Sequence, residues 1–296
     1  MPRTALLPVV CCWLAILACT PEASPPPSAR EVTGDVTVIG EADLTELRGV
    51  ARIDGSLIIR RSSLDRLELP ELMEVTGSLR VEKNPRLGSV GMVSLASMGR
   101  GGGGGGVTVE NNGALADLDL RSLVSAPGGL AIRANPELAR IDLATLESAA
   151  GPGIEIAGAF GVSDLDLGRL ASTTRLVIES CQRLVRIDLR ALSRTDAVWI
   201  VANPSLRKIV LPPATAKSET APDRRPGGAD KIIRVRHNDD LPNCEAHRLR
   251  DRLIERGFGG TAKLCDNKQD TCPSEGCSDP AHPARPSGLH GSRGNQ

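Results

Sequence analysis

GLAIRANPELARIDLATL, residues 129–146, carries the reading of the whole chain. It opens on a short apolar segment, Leu130-Ala131-Ile132, turns at Asn135-Pro136, and continues with Leu138, Ile141, Leu143 and Leu146. Leu130 and Ile132 alternate with Ala131 and Arg133, the period of two that marks a strand with one buried side. The template recurs. Strand starts fall at Val36, Leu57, Leu79, Val107, Leu130, Ile154, Leu176, Val198 and Ile233, at successive spacings of 21, 22, 28, 23, 24, 22, 22 and 35 residues. A repeat of about 20–24 residues predicts stacked solenoid coils. The two long spacings hold insertions, 99–106 around a glycine run and 212–230, which is rich in proline, glycine and charge. The glycine run is not a phosphate loop, because no Lys-Ser or Lys-Thr follows it.

A second apolar pattern follows in each coil: Leu67/Leu69, Leu118/Leu120, Ile141/Leu143, Leu165/Leu167, Ile187/Leu189 and Ile209/Leu211. Each coil is therefore expected to offer two short strands and two turns around a narrow aliphatic interior. One such coil cannot bury enough surface to offset the ordering of its backbone, so stability must come from stacking on neighbours. One polar position is built into the template: Asn84, Asn112, Asn135, Asn203 and Asn238, with Ala159 and Cys181 taking the place in two coils. Side-chain amides at one turn of successive coils can bond the next turn's backbone and form a ladder, in which Cys181 would be a buried thiol.

The units GSLRVEKNPRLGSV (77–90), GVTVENNGALADLDL (106–120), GLAIRANPELARIDL (129–143) and AVWIVANPSLRKIVL (197–211) resemble the receptor L-domain family and its bacterial leucine-rich-repeat-like relatives. The segment NDDLPNCEAHRLRDRLIERGFGG (238–260) resembles the end of bacterial surface lipoproteins of that kind. The resemblance covers about residues 34–266 and implies a mainly β, right-handed β-solenoid with coils of about 22 residues. In receptors such domains help bind ligand, and that binding role is what the likeness implies for function. It brings no functional residue with it.

The ends carry different signals. Residues 1–19 have a basic start at Arg3, an apolar run too short to span a bilayer, and the close Ile16-Leu17-Ala18-Cys19, which resembles a bacterial lipobox. The reading is a lipoprotein signal peptide, with Cys19 as the lipidation site and the membrane as a partner through that anchor. Thr20 after the cysteine points to the outer membrane of a two-membrane envelope, hence an exported protein of the cell surface or envelope. Residues 20–33 read as a Pro-rich tether. Near the other end, Asn243 is positioned to cap a helix and Gly257 to end it; Ala246, Leu249, Leu253 and Ile254 make its apolar stripe. This helix, 243–257, is expected to cap the solenoid, followed by a last strand at 261–264 and a Cys-containing disordered tail, 267–296.

Cys244, Cys265, Cys272 and Cys277 remain for disulfides and can pair in three ways. Cys244–Cys265 with Cys272–Cys277 is the preferred set. A zinc site is the weaker reading, since no C-x₂-C pairs occur, although His237 and His247 lie close in sequence. No cofactor and no metal is expected.

Lys and Arg number 36, matching 36 Asp and Glu, so no basic excess points to nucleic acid. With two Trp, two Phe and no Tyr, aromatic anchors are scarce. Trp199, on the outward side of its strand, is the best single contact candidate, set against burial beneath the 212–230 insertion. The sharpest candidate for chemistry is the row Glu68, Asp119, Asp142, Asp166 and Asp188. Stacked carboxylates about 4.8 Å apart approach the separation used by retaining glycosidases. The plainer reading is a solvated strand face, with each Asp bonding the turn that follows it. All four His lie at or after position 237, away from the repeats. The functional expectation is therefore a membrane-anchored, non-catalytic binding or adhesion module for an unknown protein or glycan ligand. The alternatives are a polysaccharide-active β-helix enzyme using the Asp row and a purely structural envelope protein.

Overall fold

Alternating aliphatic residues place one side of every strand in a common interior, and the chain accordingly coils into a β-solenoid. The computed structural model describes residues 30–99, 105–211 and 231–276. The expected leader with Cys19, the expected tether up to residue 29, residues 100–104 and 212–230 of the expected insertions, and the expected tail from Cys277 lie outside the described residues.

The spine is a ten-stranded parallel sheet built from one strand of each coil, from Val36–Val38 to Thr261–Cys265. Register is in step throughout: Leu57 pairs with Leu79, Leu79 with Val107, Val107 with Leu130, Leu130 with Ile154, Ile154 with Leu176, Leu176 with Val198, and Val198 with Ile233. Their side chains form a buried column, and Ile59, Val81, Val109, Ile132, Ile156, Ile178, Ile200 and Val235 form a second beside it. Equal residues in neighbouring coils meet at the strand spacing of about 4.8 Å, so the core is filled by like stacking on like.

The coils are three-sided, not two-sided. After the spine strand the second side is formed by strands such as Asp117–Asp119 and Arg140–Asp142, and a third by short strands such as Ser125–Ala126 and Ser148–Ala149. Leu72, Leu95, Leu123, Leu146, Leu170 and Leu192 are buried at the corner before the third side, and Val75, Met98, Ala126 and Ala149 are buried on it, so these coils bury more than two strands would. The second side is split into two sheets. One ends at Arg140–Asp142 and the next begins at Asp164–Asp166. The split falls beside the coil whose ladder position is Ala159.

Two boundaries and one pairing differ from expectation. Arg30–Thr33 is a strand paired with Val50–Asp54, so the fold begins inside the expected tether. At the other end, residues 267–276 belong to the fold. Lys268 bridges to Pro242, and Glu275 exchanges both backbone hydrogen bonds with Leu264 at 2.8 Å. That antiparallel bridge covers part of the outer edge of the last spine strand, the place where another chain would otherwise add. The third difference is the disulfide. Cys244 bonds Cys272, which overturns the Cys244–Cys265 and Cys272–Cys277 set; Cys265 is buried in the last spine strand.

A short helix α1, Glu41–Glu46, follows the first spine strand; Asp43 reaches back to accept the amides of Ile39 and Gly40 at 2.7 and 3.0 Å. The C-terminal helix α2, Asn243–Glu255, closes the far end. Ala246, Leu249 and Leu253 join the core, as does Phe258, while Ile254 is half exposed and leaves the expected stripe. Gly257 ends α2 at φ +92°, with its own amide bonding Ile254 and the Phe258 amide bonding Leu253. Asn243 does not cap the helix. It is the first helical residue, is buried, and is turned toward the last rung of the side-chain ladder.

Candidate functional site

The buried polar file comes first because it sets the geometry of everything outside it. Asn84, Asn112, Asn135, Asn203 and Asn238 are fully buried, and Asn267 continues the file. Each Nδ2 donates to a spine-strand carbonyl of the preceding coil: Asn84 to Ile59, Asn112 to Val81, Asn135 to Val109, Asn203 to Ile178, Asn238 to Ile200 and Asn267 to Val235, at 2.9–3.0 Å. Each Oδ1 accepts the backbone amide of the position before it in the file; Asn112 serves Asn84, Asn135 serves Asn112, Asn203 serves Cys181 and Asn238 serves Asn203. Asn267 finally donates to Asn243 Oδ1 at 3.3 Å. Ala159 supplies no side-chain acceptor, so the file is in two segments. Cys181 is a buried unpaired thiol whose pKa is pushed up to about 11 by burial. Asn267 was readable: Leu264-Cys265-Asp266-Asn267 has the spacing of Val235-Arg236-His237-Asn238.

The acidic row is broken up and bonded into its own turns. Asp119 stacks on Asp142, and Asp166 on Asp188, but Asp142 and Asp166 belong to different sheets and are not paired. Glu68 is separated from the others by Gly91, over which its carboxylate lies. Asp119, Asp142, Asp166 and Asp188 each accept the backbone amide two residues on, at 2.8–3.3 Å. Arg121 forks onto Asp119, and Arg190 onto Asp188, which also takes Arg186 at 2.7 Å. These guanidiniums hold the carboxyls of Asp119 and Asp188 below the usual range, Arg121 and Arg190 respectively being the main causes. Asp188 is fully buried and Asp119 nearly so, whereas Glu68 and Asp166 are exposed. The repeated Asp-Leu-Arg at 119–121 and 188–190 was the sequence signal for this pairing.

The outer face of the spine has a different character at each end. In the middle, Arg133 lies between Glu110 at 4.0 Å and Glu155 at 2.5 Å, and Arg133 is the main reason the Glu155 carboxyl sits below its usual range. Toward the C-terminus an aromatic residue joins the row. Trp199 is in register with Val177 on one side and Arg234 on the other. The guanidinium of Arg234 lies 4.7 Å from the Trp199 ring centre, and that of Arg175 5.5 Å. Trp199 is half-buried, and Val177 beneath this cluster is buried although it points outward. Trp199 Nε1, Arg234 Nε and Arg236 Nε are shielded from water and have no acceptor among the described residues. The sequence singled out Trp199 but not its arginines, because a mixed-sign row conceals which cations lack a partner.

The last cysteines form a compact corner. The amides of Cys272 and Cys244 donate to Asp270 at 2.9 and 3.0 Å and keep its carboxyl below the usual range, Cys272 first. Two disulfide sulfurs and Asp270 are the group of metal-ligating types found here; disulfide sulfurs are not thiolate ligands. His247 is held by the Pro273 carbonyl at 2.8 Å and His237 lies 3.6 Å from Asp266, so neither joins that corner. An open cleft of about 440 Å³ between the strand Lys208–Val210 and α2 is lined by Glu245, Arg248, Asp251, Arg252 and Glu255, charges that largely answer one another. No helix among the described residues is long and apolar enough to cross a membrane. No family model matches the chain, and no curated protein matches it.

Proposed function

We propose that the chain is a lipid-anchored envelope protein whose solenoid serves as a non-catalytic recognition module of the receptor L-domain kind. On this reading Cys19 carries the lipid, the Pro-rich stretch holds the solenoid off the bilayer, and the outer face of the spine meets the ligand. One observation supports it above others: Trp199 stands on the outer face of the ten-stranded sheet between the guanidiniums of Arg175 and Arg234. Aromatic and arginine side chains fixed side by side are the residue types that dominate recognition surfaces. Asp119 and Asp188 of the acidic row, by contrast, have their oxygens committed to turn amides and arginines that hold them ionised, where a general acid needs a carboxyl held protonated near neutral pH.

The test is site-specific photo-crosslinking on intact cells. A photoreactive residue replacing Glu179, exposed at the end of the spine strand beside Trp199, is expected to capture a defined partner. The same residue replacing Asp166 is expected to capture none. Capture only from position 166 would move the recognition surface to the other side of the coil and contradict the proposal.

A further inference from the structure

We propose, resting on the recognition reading above, that the C-terminal third of the spine's outer face binds a polysaccharide containing uronic acids. The cations decide the sign of the ligand. Among the described residues Arg175, Arg234 and Arg236 form no ion pair, and the acid nearest Arg175 in effect, Glu155, is already forked by Arg133. Of the other acids at this end, Asp196 pairs with Lys231 at 3.6 Å and Asp266 lies 3.6 Å from His237; Glu179 is the one exposed carboxylate on the patch. The guanidiniums of Arg175, Arg234 and Arg236, partly exposed and without an ion pair among the described residues, ask for an acceptor-rich partner.

The shape of the face selects the class. Arg234 and Arg236 are alternate residues of one strand and stand roughly 7 Å apart, while Arg175 lies two strands away, about 10 Å across the sheet. Between them Trp199 and the partly exposed Val201 make an apolar floor. Guanidinium forks match the two oxygens of a carboxylate, and the floor suits the C–H side of a sugar ring. A peptide strand would dock on a sheet edge, but here the face is central, with its backbone bonds already made on both sides, and the C-terminal edge is bridged by Glu275.

The test uses the processed, lipidated chain in mild detergent, in which removal of the leader before Cys19 takes Trp13 away and leaves Trp199 as the sole indole reporter. Sodium polygalacturonate should change its emission saturably, and binding should weaken as salt is raised. Arg234→Ala with Arg236→Ala should weaken binding at least about tenfold. Arg234→Lys with Arg236→Lys, which keeps charge and fold but loses the forks, should fall between. Equal or tighter binding of neutral dextran, dextran sulfate or polyglutamate, no saturable change with polygalacturonate, or no effect of the Arg variants would each overturn the inference. If Glu179 cross-linking still captures a partner in that case, the recognition reading stands and only the uronic-acid assignment falls; if it captures none, both fall.

Discussion

At the scale of single residues, the turn that begins the second side of each coil explains the asparagine file. Arg61, Lys83, Asn111, Ala134, Ser180, Ala202, His237 and Asp266 all lie at φ between +51° and +57°, and Gly158 holds the same place at +67°. Each immediately precedes the file position, which in the Arg61 coil is Ser62, whose amide donates to Asn84 Oδ1 at 2.8 Å. A left-handed residue costs roughly 1–2 kcal/mol, and where Asn follows, as after Lys83, Asn111, Ala134, Ala202, His237 and Asp266, its side chain offsets that cost by satisfying strand and turn groups that have no water. Asn203→Ala should therefore cost about 1–3 kcal/mol in chemical denaturation, because Ile178 O and the Cys181 amide lose their partner in the dry interior. Cys181 gives a second expectation. With its folded pKa pushed up to about 11 from an ordinary value near 9, the folded state keeps the thiol protonated while the unfolded chain releases it. Stability should therefore be unaffected below about pH 9 and should decline between about pH 9 and 11. Native Cys181 should also resist alkylation at pH 8, as read by mass spectrometry of its peptide, and react on unfolding.

At the scale of elements, the second side of the coil shows why a row of acids need not be a site. Asp188 is shared between a turn amide, Arg186 and Arg190 with no access to water. Asp188→Asn should destabilise the fold by roughly 1.5–3 kcal/mol at pH 7, the range for hydrogen bonds to a charged group. Because the folded carboxyl titrates below its unfolded value, this stability is present above about pH 4 and is lost as pH falls through the folded pKa. The difference between wild type and variant in urea titrations should therefore shrink in acid. Periodicity was enough to read the spine strands and the core columns, since both depend on alternation within a few residues. The third side escaped because its strands are two residues long in most coils, too short for any period, although Leu72, Leu95, Leu123 and Leu146 marked its corner. The disulfide escaped because it depends on how 267–276 folds back over α2, which no local pattern encodes, whereas Asn267 repeated the spacing of Asn238 and could have been read.

At the scale of the molecule, stacking makes stability a sum over neighbours, and the two ends need closure. α2 with Phe258 covers the far end, and Glu275 guards the last strand. A stack whose outer face is aromatic and cationic toward the C-terminus suits the recognition role proposed above. Metabolic labelling with an alkyne fatty acid should tag the wild-type chain and not Cys19→Ser, and that variant should leave the membrane fraction; unchanged labelling would contradict the anchor.

The most direct measurement follows binding and turnover together. The chain is incubated with polygalacturonate and a panel of neutral glycans while bound ligand and new reducing ends are recorded. Recognition without chemistry requires bound glycan and no increase in reducing ends. A steady release of reducing ends that disappears in Asp142→Asn or Asp166→Asn would contradict it.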